Sequence, residues 1–145
     1  DLKFTDENGQ EKLMIMGCFG IGVGRLMGTI VEISNDTNGI IWPETVAPYK
    51  VHLIGLKGKE GKSSLLAQNL YDKMIKSGIE VLFDDRDDLR AGEKFADADL
   101  LGIPYRVIVS EKTAECDSAE IKKRGDTKSE VLPISDIIKR IMNNE

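Results

Sequence analysis

From residue 51 onward the apolar and polar positions fall into a repeating order. Residues 51–56 (VHLIGL) form a short apolar run that predicts a strand, followed by a polar loop over 58–64. Leu66, Leu70 and Met74 then recur at helical spacing, and Gly78 falls where a helix end takes a glycine. Residues 80–84 predict the next strand. Phe95, Ala98 and Leu101 mark a second helix, stopped by Gly102 and Pro104, and residues 105–110 predict a third strand. Residues 121–124 and 130–132 flank Gly125-Asp126-Thr127-Lys128 and predict a hairpin. Ser135 is placed to cap a last helix whose Ile137, Ile138, Ile141 and Met142 face inward. This order predicts an α/β fold whose sheet has a parallel core and right-handed crossovers.

The first 46 residues give a different pattern. Asn8-Gly9 between residues 2–5 and 13–16 predicts a hairpin. The passage 17–25, GCFGIGVGR, reads as a strand running into a helix, along which Leu26, Ile30 and Ile33 recur up to Asn35. Two short strands and one helix cannot bury enough apolar surface to stand alone, so residues 1–47 are expected to be the last pieces of a larger domain. Residues 40–49 (IIWPETVAPY) read as a linker in which two prolines block regular pairing. Trp42 is expected to pack against a body outside this chain. The boundary is placed between 47 and 48, with 48–145 as the second domain.

Composition narrows the function classes. The 145 residues carry 20 Lys and Arg against 25 Asp and Glu, a net charge of −5. Residues 1–46 hold three basic and seven acidic groups, a net of −4, leaving the remainder at −1. Neither part is the strongly basic body of a general nucleic-acid binder, so contact with RNA must use a local patch. No apolar run reaches the roughly 20 residues that span a bilayer. There is no basic start followed by an apolar core, so no secretory signal is read and a cytoplasmic protein is expected. Cys18 and Cys116 with a single His cannot complete a four-ligand zinc site, and no metal site is assigned.

Three features carry candidate chemistry. Gly20-x-Gly22-x-Gly24-Arg25 fails the dinucleotide fingerprint G-x-G-x-x-G, because Arg25 stands where the third glycine belongs. It reads either as a tightly packed strand-turn-helix or as a strand whose alternate glycines let a flat ligand approach the backbone. On the second reading Arg25 offers a planar cation to phosphate or base. Gly55 to Ser63 imitates a phosphate-binding loop, but G-x-x-x-x-G-K-[ST] needs glycine at 56, which is Leu56. The third feature is the set Lys94, Phe95, Asp99, Arg106, Lys122, Lys123, Arg124 and Lys128. These are either a core aromatic with solvated charges, or cations for phosphates joined to an aromatic for stacking and a carboxylate. A carboxylate can accept from guanine N1–H and the exocyclic amine together, which adenine cannot match. His52 reads as structural, Cys116 has no base near it in sequence, and no nucleophile–base pair is present.

Residues 17–25 (GCFGIGVGR), 38–54 (NGIIWPETVAPYKVHLI) and 78–109 (GIEVLFDDRDDLRAGEKFADADLLGIPYRVIV) together resemble the C-terminal part of bacterial-type prolyl-tRNA synthetases. The resemblance runs from about Met16 to the end. It implies that GIGVGR is the third signature motif of a class-II catalytic domain, and that residues from about 48 form an anticodon-binding domain, a mixed five-stranded sheet covered by three helices. It implies ATP contacts at Gly20, Gly22, Gly24 and Arg25, and a place near the proline pocket for Cys18. It implies anticodon contacts at Lys94, Phe95, Asp99, Arg106 and Lys128, with aspartate at 99 where related enzymes carry glutamate. Lys122, Lys123 and Arg124 are assigned to tRNA phosphates. The implied partners are proline tRNA, ATP with Mg²⁺, proline and a second copy in the full-length enzyme. Motifs 1 and 2 are missing from this chain, so no cofactor and no aminoacylation activity are expected of the fragment alone.

Two other readings compete. A protein-interaction or regulatory module could use the same fold with its basic residues merely solvated. A small P-loop nucleotidase would need ATP affinity depending on Lys62.

Overall fold

The computed structural model describes residues 2–58 and 61–143. The chain opens with a hairpin, β1 (Lys3–Thr5) and β2 (Glu11–Leu13), followed by α1 (Val23–Ile33) and a second small hairpin, β3 (Asn35–Asp36) and β4 (Gly39–Ile40). Then come β5 (Val51–Gly55), α2 (Lys62–Lys76), β6 (Val81–Asp84), α3 (Ala91–Leu101) and β7 (Tyr105–Val109). The one-turn α4 (Glu111–Ala114), β8 (Ser118–Lys123), β9 (Glu130–Pro133) and α5 (Ile134–Met142) complete it.

Strands β5 to β9 form one sheet in the order β6-β5-β7-β8-β9. β5 lies parallel to both β6 and β7, and β8 and β9 add antiparallel. The sheet is mixed and five-stranded, as the family resemblance implies, and it has the parallel core that the order of elements predicts. Alternation along the strands divides the interior in two. Val51, Leu53, Val107, Val109 and Ile121 meet Leu70 and Met74 of α2 and Ile137 and Ile141 of α5. Ile54 and Ile108 point to the opposite face and meet Phe95 and Ala98 of α3. So α3 packs on this second face, over β5 and β7.

Several expectations change. The described helices number five: α1, three long helices on the sheet, and α4, whose Ser110 side chain accepts from the Thr113 N–H at 3.3 Å. The loop predicted over 58–64 is shorter, since α2 begins at Lys62; residues 59 and 60 of the phosphate-loop look-alike lie outside the described residues. Ser135 does not cap α5: Pro133 is the capping position, and the Ser135 hydroxyl turns to Asp136. The strand expected through Gly20, Gly22 and Gly24 is absent. Residues 14–22 are in neither strand nor helix, Gly22 precedes α1, and Gly24 and Arg25 form its first turn.

Trp42 also finds a place within the chain. Its N–H donates to the Gly102 carbonyl at 3.0 Å, and it lines a cleft of about 410 Å³ with Ile33, Pro104 and Arg124. No described helix is long and apolar enough to cross a membrane.

Candidate nucleic-acid interface

Helix α3 positions the site. The Glu93 carboxylate accepts from the Arg90 N–H at its start, and at its end Gly102 adopts φ +73° and donates to Ala98. Residues four apart share a helix face, so Lys94 and Ala98 form one stripe, and Phe95 and Asp99 the next. The first stripe lies flat on the sheet. The second lies at the border, against β7.

That border gathers three of the expected residues. Arg106 of β7 places its guanidinium 5.1 Å from the centre of the Phe95 ring and donates through Nη1 to Asp99 Oδ1 at 3.1 Å. The Asp99 side chain keeps 31% exposure, whereas Arg106 keeps 14% and its Nε is a buried donor with no partner. Phe95 is half-buried on Ile54, Ala98 and Ile108, so it belongs partly to the interior and already carries Arg106 over its ring. Lys122 of β8 stands directly opposite Arg106 in the antiparallel register and extends the strip across the sheet.

A second group lies where β8 turns into β9. Lys122, Lys123, the exposed Lys128 and Arg140 of α5 line one shallow cleft with Tyr105, Asp126 and Glu130. Arg140 was not singled out by the sequence; its only signal is its place beside the inward Ile141 on a strongly two-sided helix. Lys123 alternates with Lys122 and stands opposite Tyr105, on the face of the sheet that α5 covers. It pairs with Glu44 at 2.7 Å, which holds its ammonium protonated above the ordinary lysine range. The same Glu44 accepts from the Tyr105 hydroxyl at 3.2 Å.

Two expected RNA contacts do not survive. Lys94 is 2% exposed. Its ammonium donates to the Gly55 carbonyl at 2.9 Å and the Asp84 carbonyl at 3.3 Å, and lies 3.5 Å from the Asp84 carboxylate. Desolvated ammonium needs such partners, and moving it out to a phosphate would strip Asp84 of a neighbouring cation. Arg124 is 8% exposed. Its two terminal nitrogens grip the Asp36 carboxylate at 2.8 Å each and its Nε donates to the Asp99 carbonyl at 2.9 Å. A buried guanidinium tied through all three of its nitrogens to Asp36 and Asp99 is not free to move out to a phosphate. The pair holds Asp36 well below the usual carboxylate range, chiefly through these hydrogen bonds.

On the far edge, Asp84 is held at about 2, first by the Arg86 guanidinium, which donates at 2.9 and 2.7 Å, with Lys94 adding a smaller push. His52 is buried, and that burial pushes its imidazole below its ordinary value. Gly20, Gly22, Gly24, Arg25 and Cys18 are all exposed. Among the described residues no group of three His, Cys, Asp or Glu side chains could hold a metal ion.

The chain matches a family model described as "Anticodon binding domain" over residues 50–144. It is 49% identical over 134 residues to the proline–tRNA ligase of Persephonella marina, an alignment covering 92% of this chain and 23% of that protein. It is 46% identical over 140 residues to the proline–tRNA ligase of Caldicellulosiruptor saccharolyticus, covering 97% and 24%. For the ligase of Bacillus pumilus the values are 44% over 138 residues, covering 95% and 24%. The chain spans about a quarter of the length of these curated relatives.

Proposed function

This chain belongs to the anticodon-binding domain family, and on that premise we propose that it reads the anticodon loop of proline tRNA as part of a proline–tRNA ligase. The observation that carries the reading is the meeting of Phe95, Asp99 and Arg106 at one border of the sheet, with Lys122 in line beside them. Each supplies a different contact. The Asp99 carboxylate accepts from N1–H and the exocyclic amine of a guanine, a pair of donors that adenine lacks. Arg106 aims Asp99 and offers its own planar donors to the neighbouring base. Phe95 supports the Arg106 guanidinium from beneath, and an unstacked base rests against that planar cation. Lys122, Lys128 and Arg140 attract the flanking phosphates, and Lys123 joins them only by leaving Glu44.

The remaining assignments concern the whole ligase. Gly20, Gly22, Gly24 and Arg25 would lie beside ATP, and Cys18 near proline, within a catalytic body that this chain does not supply. The exposed Arg25 and the lack of a carboxylate cluster among the described residues do not amount to a site for ATP with Mg²⁺. No chemical step is assigned to this chain. A homodimer and a place in the cytoplasm, where translation proceeds, complete the reading of the parent enzyme.

The test is a titration of the 145-residue chain with a proline anticodon stem-loop and its guanine-to-adenine variants at two salt concentrations. A well-placed base contact is worth about 1–3 kcal/mol, so the guanine loop is expected to bind roughly tenfold more tightly. Asp99→Asn should erase that preference while leaving the salt dependence intact. Equal affinity for both loops overturns the reading.

A further inference from the structure

Arg124 and Asp36 are 88 residues apart in the chain, and their pairing joins two elements that the sequence gives no reason to connect. The β3–β4 hairpin leaves α1 through Ser34, whose N–H donates to Ile30. It is then pressed onto the end of α3, backbone against backbone. A Cβ on Gly39 would lie 2.5 Å from Leu100 Cα and 2.7 Å from the Asp99 carbonyl, and a Cβ on Gly102 would collide with the Ile40 carbonyl. Gly39 at φ +147° and Gly102 at φ +73° allow this approach because neither carries a side chain. The Trp42 backbone N–H closes the junction on the Gly102 carbonyl.

Arg124 sits in the middle of this junction. Its own N–H donates to the Pro104 carbonyl, which fixes it to the start of β7. Its guanidinium then reaches Asp36 on the hairpin with one edge and the Asp99 carbonyl on α3 with Nε. Asp99 is therefore held twice: by its side chain on Arg106 and by its main chain on Arg124. Charge-assisted hydrogen bonds of this kind fix geometry, because the buried Arg124 guanidinium would be left without partners if they broke.

We propose that Arg124 is the positioning residue for the base-reading carboxylate of Asp99, and that its grip on Asp36 makes the hairpin after α1 and the reading helix move as one piece. The proposal rests on the anticodon-reading function proposed above. A base seated on Asp99 and Arg106 then pulls on the α3 end, and the pull passes through Arg124 to the hairpin and α1. Lysine at 124 does not substitute, since one ammonium cannot present a fork to Asp36 and a third donor to Asp99.

Trp42, the only tryptophan in the chain, reports on the junction from within. The experiment compares the unaltered chain with Arg124→Met and Asp36→Asn, following stem-loop affinity and Trp42 emission together, with folding checked by circular dichroism. In the unaltered chain the guanine loop is expected to shift Trp42 emission, and the adenine loop not. In both variants the guanine preference should fall, by up to about tenfold in Arg124→Met, while affinity for the adenine loop is unchanged and the emission shift is lost. A guanine preference retained in both folded variants overturns the proposal alone. No guanine preference in the unaltered chain overturns it together with the function it rests on. If Arg124→Met fails to fold, Asp36→Asn, a change on an exposed carboxylate, decides by the same two readouts.

Discussion

Helices α1 and α5 are similar in length and both carry an apolar side, yet they end in opposite circumstances. In α5, Ile137 and Ile141 are wholly buried on the sheet. In α1 no residue is buried, and Leu26, Met27 and Ile33 are half or more exposed, with Phe19 just upstream at 98%. The difference lies in the partner surface. A two-sided sequence creates an apolar face, and only a sheet or another helix against it turns that face into an interior. Between the two regions, the β3–β4 hairpin belongs by contact to the second: it is fastened to α3 through Arg124, Gly39 and Gly102.

The contrast breaks most directly on side-chain truncation. Leu70→Ala or Ile137→Ala, at fully buried positions, should cost about 2–5 kcal/mol in urea unfolding. Leu26→Ala or Ile33→Ala in α1 should cost about 0.5 kcal/mol or less. Equal losses would mean that α1 is packed in solution. A smaller effect separates two lysines that look alike in sequence. Lys94→Met leaves two carbonyls and a carboxylate short of a donor and should destabilise by about 1–3 kcal/mol. Lys128→Met, on the exposed hairpin, should leave stability unchanged and lower the salt slope of RNA binding by about one.

A further effect is one of pH, and it too belongs to the sheet half. The folded Asp84 carboxyl titrates at about 2 against 3.8 for an ordinary aspartate, so the folded state binds its proton less readily than the unfolded chain. Its contribution to stability is complete above pH 4 and is lost as pH falls through about 2. Melting temperatures of the unaltered chain should therefore drop across that window, and Asp84→Asn, already less stable at neutral pH, should drop less. Parallel curves would show that other groups control the acid response.

The sheet was legible because periodicity is a local property. Leu66, Leu70 and Met74 name the buried face of α2, and Gly102 with Pro104 marks the end of α3 within a residue of its observed place. Phe95, Asp99 and Arg106 were legible as a set through resemblance, and the structure brings them into contact. Lys94 was misplaced because charge suggests surface. Its spacing with Ala98 held the correction, since both fall on the stripe that faces the sheet. Arg124 and Asp36 offered no such clue: no spacing rule links positions 88 apart, and the run Lys122-Lys123-Arg124 reads as one patch although alternation sends neighbours to opposite faces. The glycines at 20, 22 and 24 misled in another way. Their alternation fits a strand, but nothing among the described residues pairs with them, and an unpaired strand has no hydrogen bonds to hold it.

The enclosure of Lys94 has a use beyond stability. An amine shut between two carbonyls and a carboxylate is closed to acylating reagents, whereas Lys128 and Lys139 stand open to them. Acetylation at Lys94 can proceed only in molecules whose α3 has lifted from the sheet. Its rate, followed by mass spectrometry against the rate at Lys128, therefore clocks the opening of the helix that carries Phe95 and Asp99.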